Sequence, residues 1–257
     1  MDYLKISAVQ LDSVWENKKE NFLKLNKMVE SLQGRDLIVL PETFATGFTM
    51  KSEEFAEERF GETETFLQEF AEKTNAYVIG GWIEKNPNGK PYNTLTVFSP
   101  DSIVMRYRKI HPFSFGHEDR HFTRGNSVEV FLLKGLNICP LICYDIRFPE
   151  TFRKTVGKTD LYIVIASWPS PRVQHWLSLL KARAIENQSF VLGVNRVGIA
   201  GRIKKLYHNG YTAFFNPLFE EKILNSEKED ILEISVSKDE LMEIRKNFPY
   251  LQDIVDI

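Results

Sequence analysis

The run Leu-Tyr-Ile-Val-Ile-Ala at Leu161–Ala166 constrains the fold of this chain more than any other segment. A β-strand that is apolar on both faces must be covered on both sides, because neither face tolerates water. Periodicity predicts only about five helices, too few for a doubly wound sheet or an eight-helix barrel with this many strands. Two mixed sheets stacked face to face, with helices on the outer faces, cover such strands with the elements available. We therefore predict an α/β fold of this kind.

Strand-like and helix-like patterns alternate along the 257 residues. Strands are predicted at residues 4–11, 36–40, 77–83, 93–99, 103–107, 128–133, 160–166, 190–194, 211–215 and 230–236, with one more ending at Cys143. Apolar residues at helical spacing predict helices at 17–33, 63–74, 172–188 and 238–246. No internal repeat, low-complexity tract or linker interrupts the pattern, so we predict a single domain spanning 1–257.

Composition narrows the functional classes. The formal net charge of -2 gives no electrostatic reason to bind nucleic acid or an anionic membrane surface. No apolar stretch approaches the roughly 18 residues that a membrane-spanning helix needs. Residues 1–5 lead directly into a strand pattern without a signal peptide, so we expect a cytoplasmic protein.

The two cysteines, Cys139 and Cys143, lie four positions apart on one predicted strand. In extended geometry they would be about 13 Å apart, too far for a disulfide bond, and a reducing compartment fits this arrangement best. Cys139 has no charged residue near it in the pattern and is interpreted as an inert core residue.

Three chemically distinct side chains follow predicted strands directly. Glu42 follows the run Asp-Leu-Ile-Val-Leu-Pro, Lys109 follows the strand at 103–107, and Cys143 closes the apolar run 136–142. Each has a simpler interpretation by itself: a loop carboxylate, a solvated basic edge, and a small buried residue. A carboxylate, an ammonium and a thiol at three strand ends together indicate a catalytic set.

Several segments resemble the nitrilase, or carbon–nitrogen hydrolase, superfamily. They are LPETF at 40–44, YRKIH at 107–111, LICYDIRFPE at 141–150, ASWP at 166–169, HW at 175–176, RAIENQ at 183–188 and NRVG at 195–198. The resemblance implies a four-layer α-β-β-α sandwich, a Glu-Lys-Cys triad, no metal or other cofactor, and a homodimer or larger oligomer. Cys-Tyr-Asp after the strand is similar to the amidase branches. Ser-Trp-Pro and His-Trp are similar to the ω-amidase branch, which acts on small ω-monoamides such as 2-oxoglutaramate.

The resemblance also implies roles for individual residues. Cys143 would attack the amide carbonyl while Glu42 takes its proton, since a free thiol with a pKa of about 8.5 is mostly unreactive at neutral pH. Lys109 and the backbone N–H of Tyr144 would stabilise the oxyanion. Glu42 would then protonate the leaving ammonia and activate the water that hydrolyses the thioester. Glu118 matches a second glutamate that positions substrate and water, in a loop, 113–125, that lies over the site.

Candidate substrate-binding residues follow the same segments. Arg147 and Arg172 could hold a substrate carboxylate, or could pair instead with Asp145 or Glu150. An N-carbamoyl-amine or other aliphatic amide is the alternative substrate within the superfamily.

Aromatic residues near the motifs divide into two groups. Phe44 and Trp168 are candidates for the pocket wall. Trp176 lies on the apolar face of the 172–188 helix and is predicted to be core.

Outside the superfamily, the segment His117–His121 matches H-E-x-x-H, which points to a zinc-dependent hydrolase using His117 and His121. That chemistry needs a helix that turns both histidines toward one metal. Gly116 before the segment and Gly125 soon after it disfavour such a helix, and the thiol amidase is the preferred hypothesis.

Overall fold

The computed structural model describes residues 2–201, 205–218 and 220–255. Its strands are β1 Tyr3–Gln10, β2 Leu37–Val39, β3 Tyr77–Glu84, β4 Tyr92–Phe98, β5 Ile103–Arg108, β6 Phe131–Leu133, β7 Leu136–Ile142, β8 Leu161–Ala166, β9 Phe190–Asn195, β10 Val197–Ala200, β11 Leu206–Asn209, β12 Ala213–Phe215, β13 Glu221–Ile223 and β14 Asp230–Ser237. Its α-helices are α1 Lys18–Met28, α2 Ser52–Phe55, α3 Glu62–Thr74, α4 Glu118–His121, α5 Pro149–Arg153, α6 Val173–Asn187 and α7 Lys238–Asn247.

Two six-stranded sheets form the centre of the fold. The first has the order β14-β1-β2-β3-β4-β5 and the second the order β13-β12-β9-β8-β7-β6. In each sheet three parallel strands, β1-β2-β3 or β7-β8-β9, occupy the middle and antiparallel strands flank them. The carboxyl ends of the parallel strands therefore lie at one edge of each sheet, where polar side chains can meet.

The inner faces of the two sheets share one apolar core. Leu4, Val39 and Ile79 of the first sheet belong to the same buried cluster as Ile138 and Ile163 of the second. A second cluster lies between the first sheet and helices α1 and α3. Helix α6 covers the second sheet so closely that a Cβ on Gly193 of β9 would come within 2.5 Å of Trp176 and Leu180. The predicted four-layer sandwich is confirmed.

Several predicted boundaries differ from the structure. The 17–33 helix ends at Met28 and continues as a 3₁₀ turn at Glu30–Leu32, and the 128–133 and 211–215 strands shorten to β6 and β12. The two-stranded sheet of β10 and β11, and strand β13, were not predicted, because segments of 4, 4 and 3 residues are too short to show a clear strand periodicity. None of the described helices combines the length and hydropathy needed to cross a membrane.

Candidate active site

The three predicted strand ends converge at the carboxyl edge of the sheets. Lys109 directly follows β5, Cys143 directly follows β7, and Glu42 lies just beyond β2. Cys143 opens a 3₁₀ turn, Cys143–Arg147, with φ of 46°, a left-handed conformation that is costly for a residue other than glycine. This strained strand-to-helix turn presents the thiol to an adjoining cavity, as a nucleophile elbow does.

Lys109 occupies the centre of a buried charge cluster. Its Nζ lies 2.9 Å from Oε1 of Glu42, and 3.0 Å and 2.9 Å from Oε1 and Oε2 of Glu118. Burial by itself would lower the pKa of Lys109, but the negative charges of Glu118 and Glu42 outweigh it and hold the pKa above its ordinary value. Burial raises the pKa of Glu118 despite the attraction of Lys109. The ammonium is therefore permanently charged.

Glu42 is bonded on three sides. Its Oε1 accepts from Asn93 Nδ2 at 2.8 Å and from Lys109 Nζ at 2.9 Å, and its Oε2 accepts from the backbone N–H of Ser167 at 2.8 Å. An ionised carboxylate offers about four acceptor positions. Among the described residues, one position on Oε2 has no donor, while both positions on Oε1 are used, so Oε2 is the oxygen that can accept a proton.

The thiol of Cys143 is neutral at rest. Burial, followed by the negative charge of Glu42, raises its pKa well above the ordinary value, although Lys109 and the Ser167 N–H act in the opposite direction. A neutral thiol is a poor nucleophile and needs a base at the moment of attack. The arrangement suits transfer of a proton from sulfur to an adjacent carboxylate rather than a preformed thiolate.

Asp145 ties the turn of Cys143 to the strand of Lys109. Its carboxylate accepts from Tyr107 Oη at 2.7 Å, from the backbone N–H of His111 at 3.0 Å and from the backbone N–H of Ile142 at 3.2 Å. His111 Nδ1 is a fourth neighbour at 2.8 Å. The suggested pairing of Arg147 or Arg172 with Asp145 is therefore wrong, because other donors already surround this buried carboxylate.

A cavity of about 190 Å³ lies over the thiol. This is below the roughly 300–1,000 Å³ of pockets for drug-sized ligands, so the cavity suits a small molecule. Apolar and aromatic side chains form most of its wall. They include Trp15, Phe48, Met50, Phe113 and Trp168.

Arg147 and Arg172 both line the cavity, and neither forms an ion pair with a carboxylate of the described residues. Arg147 Cζ stands 4.8 Å from the Trp168 ring, and Arg172 Cζ stands 5.2 Å from the Phe113 ring. Burial and the neighbouring charge of Arg147 lower the pKa of Arg172 below its ordinary value. Two cations that repel each other in an apolar cavity form a site for an anion.

Some residues at the site have no signal in the sequence. Asn93 of β4 contacts Glu42 and Glu118 through its side-chain amide, and His208 of β11 lines the cavity. Burial, aided by the charge of Arg196, lowers the pKa of His208 to about 4, so its imidazole is neutral. These residues belong to strands far apart in sequence, and no local motif marks them.

Phe44 does not belong to the cavity, contrary to expectation. Its side chain is fully buried in the cluster under α1 and α3, with its ring centroid 6.1 Å from those of Phe22 and Phe66. An aromatic next to a catalytic candidate can point to the opposite side of the sheet, because alternate residues face opposite ways. Trp168 lies in the cavity wall and Trp176 in the core, as expected.

Cys139 is a core residue, as predicted. It is completely buried, and burial raises the pKa of its thiol to about 12. Both cysteines are free. Cys139 therefore resists ionisation mainly because it is removed from solvent, and the negative charges of Asp145 and Glu129 act in the same direction.

The H-E-x-x-H segment is not a metal-binding helix. His117 precedes the four-residue helix α4 with φ of 62°, and Glu118 is turned inward onto Lys109. Among residues 2–201, 205–218 and 220–255, no group of three or more His, Cys, Asp or Glu side chains could hold a metal ion. Glu118, the glutamate of this motif, is therefore paired with Lys109.

The 113–125 loop is tied down beside the site. The N–H of Gly125 donates to the carbonyl of Lys109 at 2.7 Å, and a Cβ on Gly125 would approach the carbonyl oxygen of Arg108 to 2.1 Å. Ser52 Oγ also donates to the carbonyl of His121 at 2.7 Å. These contacts hold Glu118 against Lys109.

Comparison with known proteins identifies the family of this chain. The carbon-nitrogen hydrolase family model matches residues 5–246. The chain is 39% identical to omega-amidase YafV of Yersinia enterocolitica over 200 residues, 77% of this chain and 76% of that protein. It is 32% identical to 2-oxoglutaramate amidase of Bacillus subtilis over 253 residues, 97% and 96% of the two chains.

The solved structure of XC1258 from Xanthomonas campestris, a CN-hydrolase superfamily protein, superposes with a TM-score of 0.94 at 33% identity and covers 100% of this chain and 99% of its own. The match extends over both sheets and their helices. The chain belongs to the carbon–nitrogen hydrolase family.

Proposed function

We propose that this protein is an ω-amidase that hydrolyses the terminal amide of a small monoamide of a dicarboxylic acid, such as 2-oxoglutaramate, to the acid and ammonia. The observation that carries the proposal is the pair Arg147 and Arg172, which line the cavity over Cys143 without a carboxylate partner among the described residues. A substrate with an amide at one end and a carboxylate at the other fits both features. The names of the relatives from Yersinia and Bacillus support this substrate class.

Acylation begins with attack of the Cys143 sulfur on the amide carbonyl carbon, while its proton passes to Oε2 of Glu42. The negative charge that develops on the carbonyl oxygen is stabilised by the Lys109 ammonium and the N–H of Tyr144. The Tyr144 N–H lies in the first turn of the 3₁₀ helix, where amides have no intrahelical acceptor. Glu42 then returns the proton to the amide nitrogen, the C–N bond breaks, and ammonia leaves a thioester.

Hydrolysis of the thioester repeats these steps with water. Glu42 removes a proton from the water, whose oxygen attacks the thioester carbonyl, and the proton goes to the departing sulfur. Glu118 keeps the ammonium of Lys109 in place through two hydrogen bonds. One of the two Lys109 N–H groups can instead donate to the substrate oxyanion, while the other remains hydrogen-bonded to Glu118.

The arginine pair sets the substrate class. A guanidinium binds a carboxylate in a bidentate manner, and the apolar walls exclude the water that would weaken this contact. The cavity wall of the described residues contains cations and aromatics but no carboxylate, so a substrate with a free ammonium group gains nothing there. A neutral aliphatic amide would lose the arginine contact.

Ammonia release from 2-oxoglutaramate, in the presence of EDTA, tests the function. We expect turnover by the wild type, none by Cys143→Ala, and a fall in kcat/KM of about tenfold to a hundredfold for Arg172→Met. A neutral amide of the same length is the control, and Arg172→Met should leave its kcat/KM unchanged. Turnover of an N-carbamoyl amine but of no ω-monoamide would contradict the proposal. Suppression of turnover by EDTA would favour the zinc-dependent hydrolase that uses His117 and His121.

We further propose that residues 1–257 act as one domain, that two copies associate, and that the protein acts in the cytoplasm. Exposed apolar side chains such as Leu218, Met242 and Phe248 support self-association. The two free cysteines support a reducing compartment. Light scattering would show a mass near 60 kDa for a dimer of the 29.9 kDa chain, and a monomer would contradict the second of these proposals.

A further inference from the structure

Asn93 of β4 hydrogen-bonds to both carboxylates of the site and to the backbone of Lys109. Its Nδ2 donates to Oε1 of Glu42 at 2.8 Å and to Oε1 of Glu118 at 2.9 Å. Its backbone carbonyl accepts from the backbone N–H of Lys109 at 2.8 Å. The residue is 1% exposed and does not line the cavity, so it acts on the reaction only through its neighbours.

The orientation of the Asn93 amide is determined by the two carboxylates. Only an NH₂ group can face two carboxylate oxygens at once, since the amide oxygen would repel both. The other end of the amide, Oδ1, is buried and has no hydrogen-bond partner among the described residues. An unpaired buried carbonyl oxygen costs free energy, so the double donation to Glu42 and Glu118 must outweigh that cost.

This double donation decides where the catalytic proton can reside. Oε1 of Glu42 already faces two donors, Asn93 and Lys109, and a proton there would be opposed by their hydrogens. Oε2 faces one donor, the Ser167 N–H. The proton that leaves the sulfur of Cys143 therefore has its acceptor on Oε2.

We propose that Asn93 is a positioning residue of the reaction. By donating to both glutamates at once, it keeps Oε1 of Glu42 an acceptor and directs proton transfer between the Cys143 sulfur and Oε2. The proposal rests on the assignment of Glu42 as the base in the proposed function. The charged and titratable groups that face Asn93 or its two partners are Glu42, Glu118, Lys109 and, beyond Glu42, Cys143.

The test is the pH dependence of the reaction in Asn93→Ala and Asn93→Asp. Loss of a donor to a carboxylate raises its pKa, so Glu42 becomes protonated at a higher pH and the acid limb of kcat/KM moves upward. We expect a shift of about one pH unit in Asn93→Ala. The shift should be larger in Asn93→Asp, because a third carboxylate in the cluster must share a proton with Glu42.

A second readout needs no natural substrate. Iodoacetamide alkylates the sulfur of Cys143 with loss of iodide, while the thiol proton goes to Glu42, and mass spectrometry measures the rate. The acid limb of this rate should shift in the same direction in both variants. If the wild type fails to hydrolyse ω-monoamides but its alkylation profile shifts on substitution of Asn93, the function is wrong and the role of Asn93 stands.

Thr94→Val is the matched control. Thr94 is the next residue on β4, is fully buried, and donates to Oε2 of Glu84 at 2.9 Å, away from the site. The Thr94→Val substitution should lower the melting temperature without moving the acid limb of kcat/KM or that of the alkylation rate. Unchanged acid limbs in folded Asn93 variants would overturn the proposal. So would failure of both Asn93 variants to fold while Thr94→Val folds, since that would assign Asn93 to stability alone.

Discussion

Four glutamates are buried in the described part of the chain: Glu64 and Glu84 lie away from the cavity, and Glu42 and Glu118 lie at the site. On the first sheet, away from the cavity, Glu84 accepts from Arg59, from Thr94 and twice from Arg108, at 2.7 to 2.9 Å. All four of its acceptor positions are filled. Burial opposes ionisation of Glu84, but the donors outweigh burial and lower its pKa.

Glu64, on α3 beside the same sheet, follows the same rule. Arg106 donates two hydrogen bonds to its carboxylate, Thr96 Oγ1 donates a third at 2.7 Å and the N–H of Phe60 a fourth at 2.7 Å. A buried carboxylate with every lone pair satisfied is stable, and it has no capacity to take a proton without losing a bond.

At the site, one carboxylate is saturated and the other is not. Glu118 accepts from Asn93, from the N–H of Phe113 and twice from Lys109. Glu42 has three donors and one open position on Oε2, and Asn93 Oδ1 beside it has no partner in the described structure. Both regions pair buried carboxylates with cations, so ion pairing by itself does not separate them. What separates Glu42 from the other three glutamates is an incomplete set of hydrogen bonds in the described structure. A group that must take and release a proton cannot be fully satisfied in the resting state.

Substitution of the two cysteines gives the largest expected difference in activity between a residue of the site and a residue of the core. Cys143→Ala should lower kcat by about 10⁴-fold or more, because the nucleophile is lost, while unfolding in urea should show little change. Cys139→Ala should destabilise the protein by about 1 kcal/mol through lost packing and leave kcat within about twofold. Comparable activity in Cys143→Ala would remove the nucleophile assignment.

Glu42→Gln and Glu84→Gln compare the open and the saturated carboxylate directly. Glu42→Gln should lose about 10²- to 10⁴-fold in kcat, since it removes the base, and a thioester should not accumulate. Glu84→Gln should lower the free energy of unfolding by about 1–2 kcal/mol. The loss stays moderate because water can solvate the two arginine partners of Glu84, whose side chains are 53% and 34% exposed. Its kcat should not change, because Glu84 lies away from the cavity. Rapid-quench kinetics and urea unfolding measure the two effects. A large loss of kcat in Glu84→Gln would break the comparison.

Lys109→Ala and Arg106→Ala make the same comparison with cations. Lys109→Ala should lower kcat by about 10²- to 10³-fold, because the oxyanion loses its ammonium. Arg106→Ala should act on stability and leave turnover per folded molecule intact, since Arg106 contacts Glu64 and the Phe60 ring and does not line the cavity. A change in Lys109→Ala confined to KM would assign the lysine to substrate binding instead.

The smallest expected effect is on the pH dependence of unfolding, through Glu84. The folded-state pKa of Glu84 lies below the ordinary value of 4.5, so its ionisation stabilises the fold above about pH 4.5. That contribution is lost as the pH falls through the folded-state pKa. Urea unfolding between pH 6 and pH 3.5 should therefore show a steeper loss of stability for the wild type than for Glu84→Gln. Parallel curves for the two proteins would contradict the lowered pKa.

Much of the fold was predictable because burial leaves local traces. The doubly apolar Leu161–Ala166 is the central strand of its sheet, and the apolar stripe at 172–188 predicted α6 with Trp176 facing inward. The β10–β11 pair was not predictable, since each strand has only four residues and too few to show a periodicity. The helix at 17–33 was too long, because periodicity does not report where α1 ends.

The sequence alone determined the types of group available, a thiol, a carboxylate and an ammonium each just beyond an apolar strand. Folding, rather than any local pattern, set which oxygen of Glu42 keeps an open acceptor position, which amide donates to the other oxygen, and that Phe44 faces away from the cavity. The physical reason is that hydrogen-bond saturation depends on donors from β4, β5 and the end of β8, which are distant in sequence. Apolar burial repeats along the chain with the period of each element, whereas the bonding of one carboxylate has no period to detect.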